Sequence, residues 1–429
     1  MKTRIYNARI LSMEPDQPIF DGEIWIDGDM ISYVGPEKDG GETIWDEQID
    51  AQRNLIMPGF KNAHTHSAMT FLRSHADDMK LDEWLNTRVF PAEAKLTGED
   101  VYWQTKLAVM EYLTSGITSV FDMYMFRADG ARAMRECGFR NVFCESINNF
   151  GGTLEQVESD YHTYNQDEDR LISYQLGFHA EYTTSREMME GLAALSEKYQ
   201  IPVYVHCSET KKEVEDCRSR TGMSPVAYMD SLGLFRYGGG LFHGVHMDEG
   251  DFDIIKKRGL YVVTNPASNL KLASGIAPVK RYLDEEIPLA IGTDGAASNN
   301  CLDMFREMFL VTGLAKLREN DASAVPAQKV LRMATVNGAR AMGLNDCVTL
   351  TRGQKADLIM IDRNQPNMRP FSDPEKNLVY SGSKQNVCLT MIDGKILYEN
   401  GRFHTAVDPE RIYQQAEKIL REVSGRDQN

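Results

Sequence analysis

No uninterrupted apolar stretch in this chain reaches the roughly 18 residues that a membrane-spanning helix needs. The opening segment, MKTRIYNARILSMEPD, lacks the long apolar core of a secretory signal. Cysteine is sparse: seven residues, at 137, 144, 207, 217, 301, 347 and 388, an odd number with no C-x-x-C pair. That spacing points to neither a thiolate zinc site nor a disulfide framework, and a reducing cytoplasm is the expected setting. Positive charge is in deficit, with 47 basic against 63 acidic residues and a net charge of −16. Phosphate would be repelled, so no nucleic-acid or membrane partner is expected. No glycine-rich phosphate loop follows any predicted strand. Histidine numbers only nine, which makes its placement informative.

The composition is otherwise that of a globular protein, 42% hydrophobic and 26% charged. The first segments, RIYNARILSM and GEIWIDGDMISYVG, alternate apolar and polar residues, with Asp-Gly at 21–22 and 27–28 as hairpin signals. The same texture returns in KADLIMID and VCLTMIDGKILYENGRF, with Asp-Gly at 393–394 and Asn-Gly at 400–401. Two β-rich ends of one chain predict a small β-sandwich domain of 1–57 plus 350–429. It closes in a helix that Asp408 caps, with Pro409 in the first turn and Ile412, Ala416, Ile419, Leu420 and Val423 as its apolar stripe.

Residues 58–349 have another rhythm, short apolar runs alternating with helical segments such as GEDVYWQTKLAVMEYLTSG. Eight runs read as parallel strands: NLIMPGFKNAHTH, GITSVFDMY, FRNVFCESI, LISYQLGFHA, PVYVHCSE, GLFHGV, LYVVTNP and IPLAIGTDG. Eight strands with intervening helices predict an α/β fold, a (β/α)₈ TIM barrel carrying the small β-sandwich. Strand by strand the ends hold His64 and His66, Asp122, Glu145, His179, His206, His243, Asn265 and Asp294. Barrel active sites form at those ends, so five of nine histidines stand where chemistry is expected.

Residues i and i+2 of a strand share a face, so His64 and His66 can point together at the barrel axis. With His206 from across the barrel and Asp294 beside the first strand, three imidazoles and one carboxylate suit one divalent metal ion: Zn²⁺, or Fe²⁺ or Mn²⁺, which accept the same ligands. The fourth strand offers no lysine to bridge a second ion. Glu209, three residues after His206, falls on a loop over the site, where a carboxylate can move a proton between water and substrate. His243 stands near the attacking water or the leaving group; His246, three residues on, competes for that role. His75, His162 and His404 carry no such signal.

PGFKNAHTH, HCSETKKEVED, NPASNLKLASGIAPV and IGTDGAASNN resemble the amidohydrolase superfamily. More closely they resemble its ATZ/TRZ-type branch, which includes 5′-methylthioadenosine/S-adenosylhomocysteine deaminases. The resemblance implies a mononuclear hydrolytic site in which His64, His66, His206 and Asp294 hold the metal. Glu209 would shuttle protons, His243 would stand beside the attacking water, and Asp294 would also act as a base. It implies hydrolytic deamination: activated water attacks the amine-bearing ring carbon of an adenosine-type substrate and ammonia leaves. Candidates are 5′-methylthioadenosine, S-adenosylhomocysteine, adenosine and 5′-deoxyadenosine. FPAEAKLT matches a segment whose glutamate, here Glu93, binds ribose hydroxyls, and His179 matches a substrate-contacting histidine. Such relatives form dimers or tetramers, so a homo-oligomer is expected. Two stretches depart from the pattern: ESINNFGGTLE, where many relatives carry a substrate-binding arginine, and AEYTT after His179. They leave a free base, a pterin or an s-triazine as the alternative substrate. An inactive binding relative is a third reading.

Overall fold

The computed structural model describes residues 1–38, 43–75, 77–166, 170–406 and 408–425. Five strands come first: β1 (Lys2–Ile10), β2 (Phe20–Asp27), β3 (Met30–Gly35), β4 (Glu47–Asp50) and β5 (Leu55–Pro58). Eight follow in the middle: β6 (Phe60–Thr65), β7 (Ile117–Asp122), β8 (Arg140–Cys144), β9 (Ile172–Ala180), β10 (Val203–Cys207), β11 (Gly239–His243), β12 (Tyr261–Thr264) and β13 (Leu289–Ile291). Four close the chain: β14 (Leu358–Ile361), β15 (Val387–Ile392), β16 (Lys395–Glu399) and β17 (Arg402–Phe403).

Strands β6 to β13 pair in sequence order, all in parallel. Asp294 N donates to His64 O (3.0 Å) across the seam between β13 and β6, so the sheet is a nearly closed barrel. Helices follow the strands, each with its own start signal: Thr97 with Asp100, Thr210 with Glu213 and Asp248 with Asp251 form reciprocal capping boxes. Phe121, Val142, Tyr204, Phe242 and Val263 belong to a cluster that fills the barrel.

The chain ends meet at β5 and β14, which pair antiparallel from Leu55–Ile361 to Pro58–Leu358. The resulting nine-stranded mixed sheet runs β17-β16-β15-β14-β5-β1-β2-β3, with β4 beside β1. Where the sequence suggests a two-sheet sandwich, hydrogen bonding is continuous through one sheet. Its far end folds back, so that Ile31 N donates to Gln354 O (2.8 Å), and it encloses a core including Ile5, Ile24, Ile56, Leu358 and Met391. Asp393–Gly394 and Asn400–Gly401 turn hairpins, all four with positive φ. Asp21–Gly22 does not; both residues lie inside β2. A Cβ on Gly22 would stand 2.2 Å from Gly35 O, so the glycine serves a close strand approach.

The first barrel run also divides. Leu55–Pro58 joins the mixed sheet and Phe60–Thr65 the barrel. Gly59 is the joint: a Cβ there would lie 2.1 Å from Thr118 Cγ2. Below the joint, at the strand ends away from the histidines, Arg140 makes a buried two-point pair with Asp357 (2.8 and 3.1 Å), and Lys61 Nζ lies 3.6 Å from the same carboxylate. Helix Pro409–Gly425 buries Ile412, Ile419 and Val423 in a cluster with Trp103 of helix Gly98–Thr114, so it packs on the barrel. All seven cysteines are free, and among the described residues no helix is long and apolar enough to cross a membrane.

Candidate active site

His64 and His66 extend from β6 and its end, and His206 from β10. One ring nitrogen from each lies within 4.8 Å of the other two. His206 Nε2 is 3.1 Å from His64 Nε2. Asp294 Oδ1 is 3.2 Å from His66 Nε2 and 3.6 Å from His64 Nε2. The outer nitrogens fix two tautomers: Nδ1 of His66 donates to Met123 O and Nδ1 of His206 to His179 O, each at 2.6 Å. Those carbonyls can only accept, so in its neutral form each ring carries its lone pair on the inner nitrogen. His64, fully buried, stacks on Phe242 at 3.9 Å between ring centroids, and its Nδ1 has no partner among the described residues. Burial, outweighing the help of Asp294, pushes His64 down to about 3. Burial and the neighbouring imidazoles His64 and His179 hold His206 well below the ordinary histidine value. On His66 burial opposes charge, but Asp294 overcomes it and lifts the ring to about 8. Burial would raise Asp294, yet His64 and His66 hold it well below the usual carboxylate range. Inward lone pairs beside an ionised carboxylate fit a divalent cation of the zinc type. His64, His66, His206 and Asp294 are the side chains that could hold it.

Asp294 is itself anchored. Its Oδ2 accepts from Ser268 Oγ (2.6 Å) and Ser298 Oγ (2.9 Å), and its Oδ1 accepts from Gly295 N (2.8 Å). Its φ is +60° and that of His243 is +74°, two non-glycine residues in a region that costs about 1–3 kcal/mol each. Strain at two strand ends facing one point is what a functional site tolerates.

Glu209 follows β10 on the turn into helix Lys211–Thr221. Glu213, in that helix's first turn, accepts from the backbone N–H of Ser208 (2.6 Å) and of Glu209 (2.8 Å), fixing the turn. Ser274 Oγ donates to Glu209 Oε1 (2.9 Å), and Glu209 Oε2 stands 3.7 Å from His243 Nε2. His243 Nδ1 meets Asn269 Oδ1 at 2.8 Å, and its Nε2 is 4.0 Å from Asp294 Oδ2. His246 turns elsewhere: its Nε2 donates to Ser274 O (2.7 Å) and it lines a separate cavity of about 230 Å³.

The main cavity, about 920 Å³, holds His66, His206, Glu209, His243 and Asp294 in its wall. Glu93 and His179 line it too. Glu93 is buried, only 8% exposed, and burial pushes its carboxyl up to about 7. Glu93 is therefore an acid of the cavity wall and not of the outer surface. His179 Nδ1 lies 2.9 Å from Thr183 Oγ1, and burial lowers the ring to about 4. Asp122 and Asn265, also at strand ends, stay outside this wall; Asp122 accepts from Ser67 N at 2.8 Å. Sequence reasoning missed Ser268, Ser274, Ser298, Asn269 and Glu213. Small hydroxyls and amides carry no distinctive signal alone. The only hint was the polar density of NPASN and TDGAASNN, with Ser298 four residues after Asp294.

Comparison with known proteins places these residues in a family. The model of the amidohydrolase family matches residues 55–397. A 5-methylthioadenosine/S-adenosylhomocysteine deaminase of Moorella thermoacetica is 41% identical over 406 residues, covering 93% of this chain and 94% of the relative. One of Syntrophomonas wolfei is 39% identical over 433 residues, covering 99% and 100%. The crystal structure of an adenosine deaminase from Xanthomonas campestris with bound zinc superposes with a TM-score of 0.92 at 32% identity, covering 99% of this chain and 98% of the other. Triazine hydrolase from Arthrobacter aurescens shares the fold at 20% identity, with a TM-score of 0.89 over 98% and 99% of the two chains. A family match across most of the chain and relatives above 30% identity over nearly all of it lead to one conclusion: this chain belongs to the amidohydrolase family.

Proposed function

We propose that this protein is a hydrolytic deaminase of adenosine-type substrates, 5′-methylthioadenosine, S-adenosylhomocysteine, adenosine or 5′-deoxyadenosine, working with one divalent ion, Zn²⁺. The observation that carries the reading is that His66, His206, Asp294 and Glu209, with His64 directly behind them, converge on one cavity that also holds a buried acid, Glu93. Deaminase relatives at 37–41% identity support the chemistry, and the zinc in the Xanthomonas protein supports the ion. A bound divalent ion would supply a water whose pKa falls toward about 7.

The remaining steps belong to the protein. Asp294, ionised and held by two serine hydroxyls, takes a proton from the attacking water. Glu209, oriented by Ser274, carries a proton to the ring nitrogen beside the attacked carbon and then to the departing amine. His243, oriented by Asn269, holds the oxygen that adds to the ring. Glu93 accepts from ribose hydroxyls and His179 borders the base. The oxygen of the water stays on the ring as a carbonyl; one of its protons ends on the ring nitrogen and the other leaves with the amine as ammonia. The seven unpaired cysteines support a reducing, cytoplasmic setting.

A panel of nucleosides, free bases, pterins and s-triazines, followed by ammonia release, tests the substrate class. Turnover of the adenosine derivatives is expected. Turnover confined to free bases or triazines would replace this reading with the other hydrolase, and a protein that binds no metal and turns over nothing would point to a binding role.

A further inference from the structure

The outer cavity wall, beyond the imidazoles, Glu93, Glu209 and Asp294, has no role in the steps above, and it is built in two unlike halves. One half is aromatic. Ring centroids step outward from His206 to His179 (5.0 Å), from His179 to Phe90 (6.2 Å) and from Phe90 to Phe150 (6.0 Å). Phe150 is 79% exposed, and Phe126 and Tyr182, on the same wall, are each 42% exposed. Large aromatic side chains left in water along a cavity wall mark a surface that apolar ligand atoms cover.

The other half is charged, and one sign dominates. Among the described residues, Arg127 is the sole lysine or arginine lining the cavity. Its Nε donates to Asp160 (2.7 Å), and its two terminal nitrogens lie 3.1 and 2.9 Å from the two oxygens of Glu145. Tyr174 fixes Glu145 (2.6 Å) and Gln156 fixes Asp160 (2.7 Å). One guanidinium is thus committed to two carboxylates, and Asp129 adds a further acid to the wall. A carboxylate carried in on a substrate tail would find no free cation there. Removing it from water unpaired costs far more than covering a thioether or a methyl group.

Resting on the nucleoside-deaminase reading, we propose that this cavity selects among adenosine derivatives by the charge of the 5′ substituent and favours those that carry no anion. It disfavours those whose tail bears a carboxylate. The two natural extremes are the methylthio group and the homocysteine tail.

The test is kcat/KM of the zinc-loaded enzyme on three substrates: 5′-methylthioadenosine, S-adenosylhomocysteine, and the analogue whose tail keeps the terminal ammonium but lacks the carboxylate. Methylthioadenosine is expected to exceed S-adenosylhomocysteine by at least about tenfold. Removing the carboxylate should recover most of that difference. S-adenosylhomocysteine turned over as well as methylthioadenosine would overturn the preference and leave the deaminase reading standing. An analogue as slow as S-adenosylhomocysteine would also overturn it, because bulk rather than charge would decide. Turnover of none of the three would overturn the deaminase reading and the preference together.

Discussion

His206 Nε2 faces His64 Nε2 at 3.1 Å, while the opposite nitrogen of His206 donates its proton to a backbone carbonyl. The ring therefore turns a lone pair toward its neighbour, an arrangement that a cation between the rings stabilises. Wild-type protein grown with zinc should carry one divalent ion per chain by elemental analysis. His206→Ala should bind zinc at least about 100-fold more weakly, since even partners of such ligands are worth about 10–100-fold. Undiminished zinc in the variant would place the ion elsewhere.

Glu209 is oriented by Ser274 through its Oε1 and sits opposite His243 through its Oε2. As the proposed proton carrier it can be removed without removing a ligand. Glu209→Gln should lower kcat about 10²–10⁴-fold with zinc content unchanged. Ser274→Ala, which frees rather than deletes the carboxylate, should cost less. Steady-state kinetics on metal-quantified protein checks both, and a Glu209→Gln enzyme near wild-type kcat would remove Glu209 from the proton path.

The Arg140–Asp357 pair ties barrel strand β8 to the mixed sheet. Burial would raise Asp357, but Arg140 and Lys61 prevail and hold it at about 2, below its ordinary 3.8. The sign follows: this pair stabilises fully above pH ~4, and the contribution is lost as pH falls toward 2. Asp357→Asn takes the carboxylate from buried Lys61 and leaves Arg140 with the carboxylate of Asp393 alone, and it should cost about 3–5 kcal/mol near neutrality in urea unfolding. The gap between wild type and variant should narrow between pH 5 and pH 2. A gap that widens on acidification would contradict the assignment.

Gly59 separates the two sheets with no room for a side chain. Gly59→Ala places a Cβ 2.1 Å from Thr118 Cγ2, an overpacking cost of about 1–3 kcal/mol in urea unfolding. Thr118→Ala in the same chain should recover part of the loss. Additive losses in the double variant would mean that the two positions do not clash.

That joint also shows where the sequence stops being legible. Eight strands and what each places at its end were readable because alternation, chain length and rare residue types are local signals. His64 and His66 announce a shared face by spacing alone, and Asp294 stands three residues past an apolar run. The bound at 57/58 falls inside NLIMPGFKNAHTH, but the reason the run divides there was not readable, because the partner that crowds Gly59, Thr118, lies far along the chain. Ser268, which anchors Asp294, and the two acids that occupy Arg127 escaped for the same reason: their roles exist only once separate strand ends converge.

The most direct test of the account is ammonia release from 5′-methylthioadenosine by protein of measured zinc content, wild type beside His206→Ala. The account predicts steady release from the zinc-loaded wild type, loss on chelation, recovery on adding zinc back, and little or none from the variant. Zinc-loaded wild-type protein that leaves this nucleoside and the other three adenosine derivatives unchanged would contradict it.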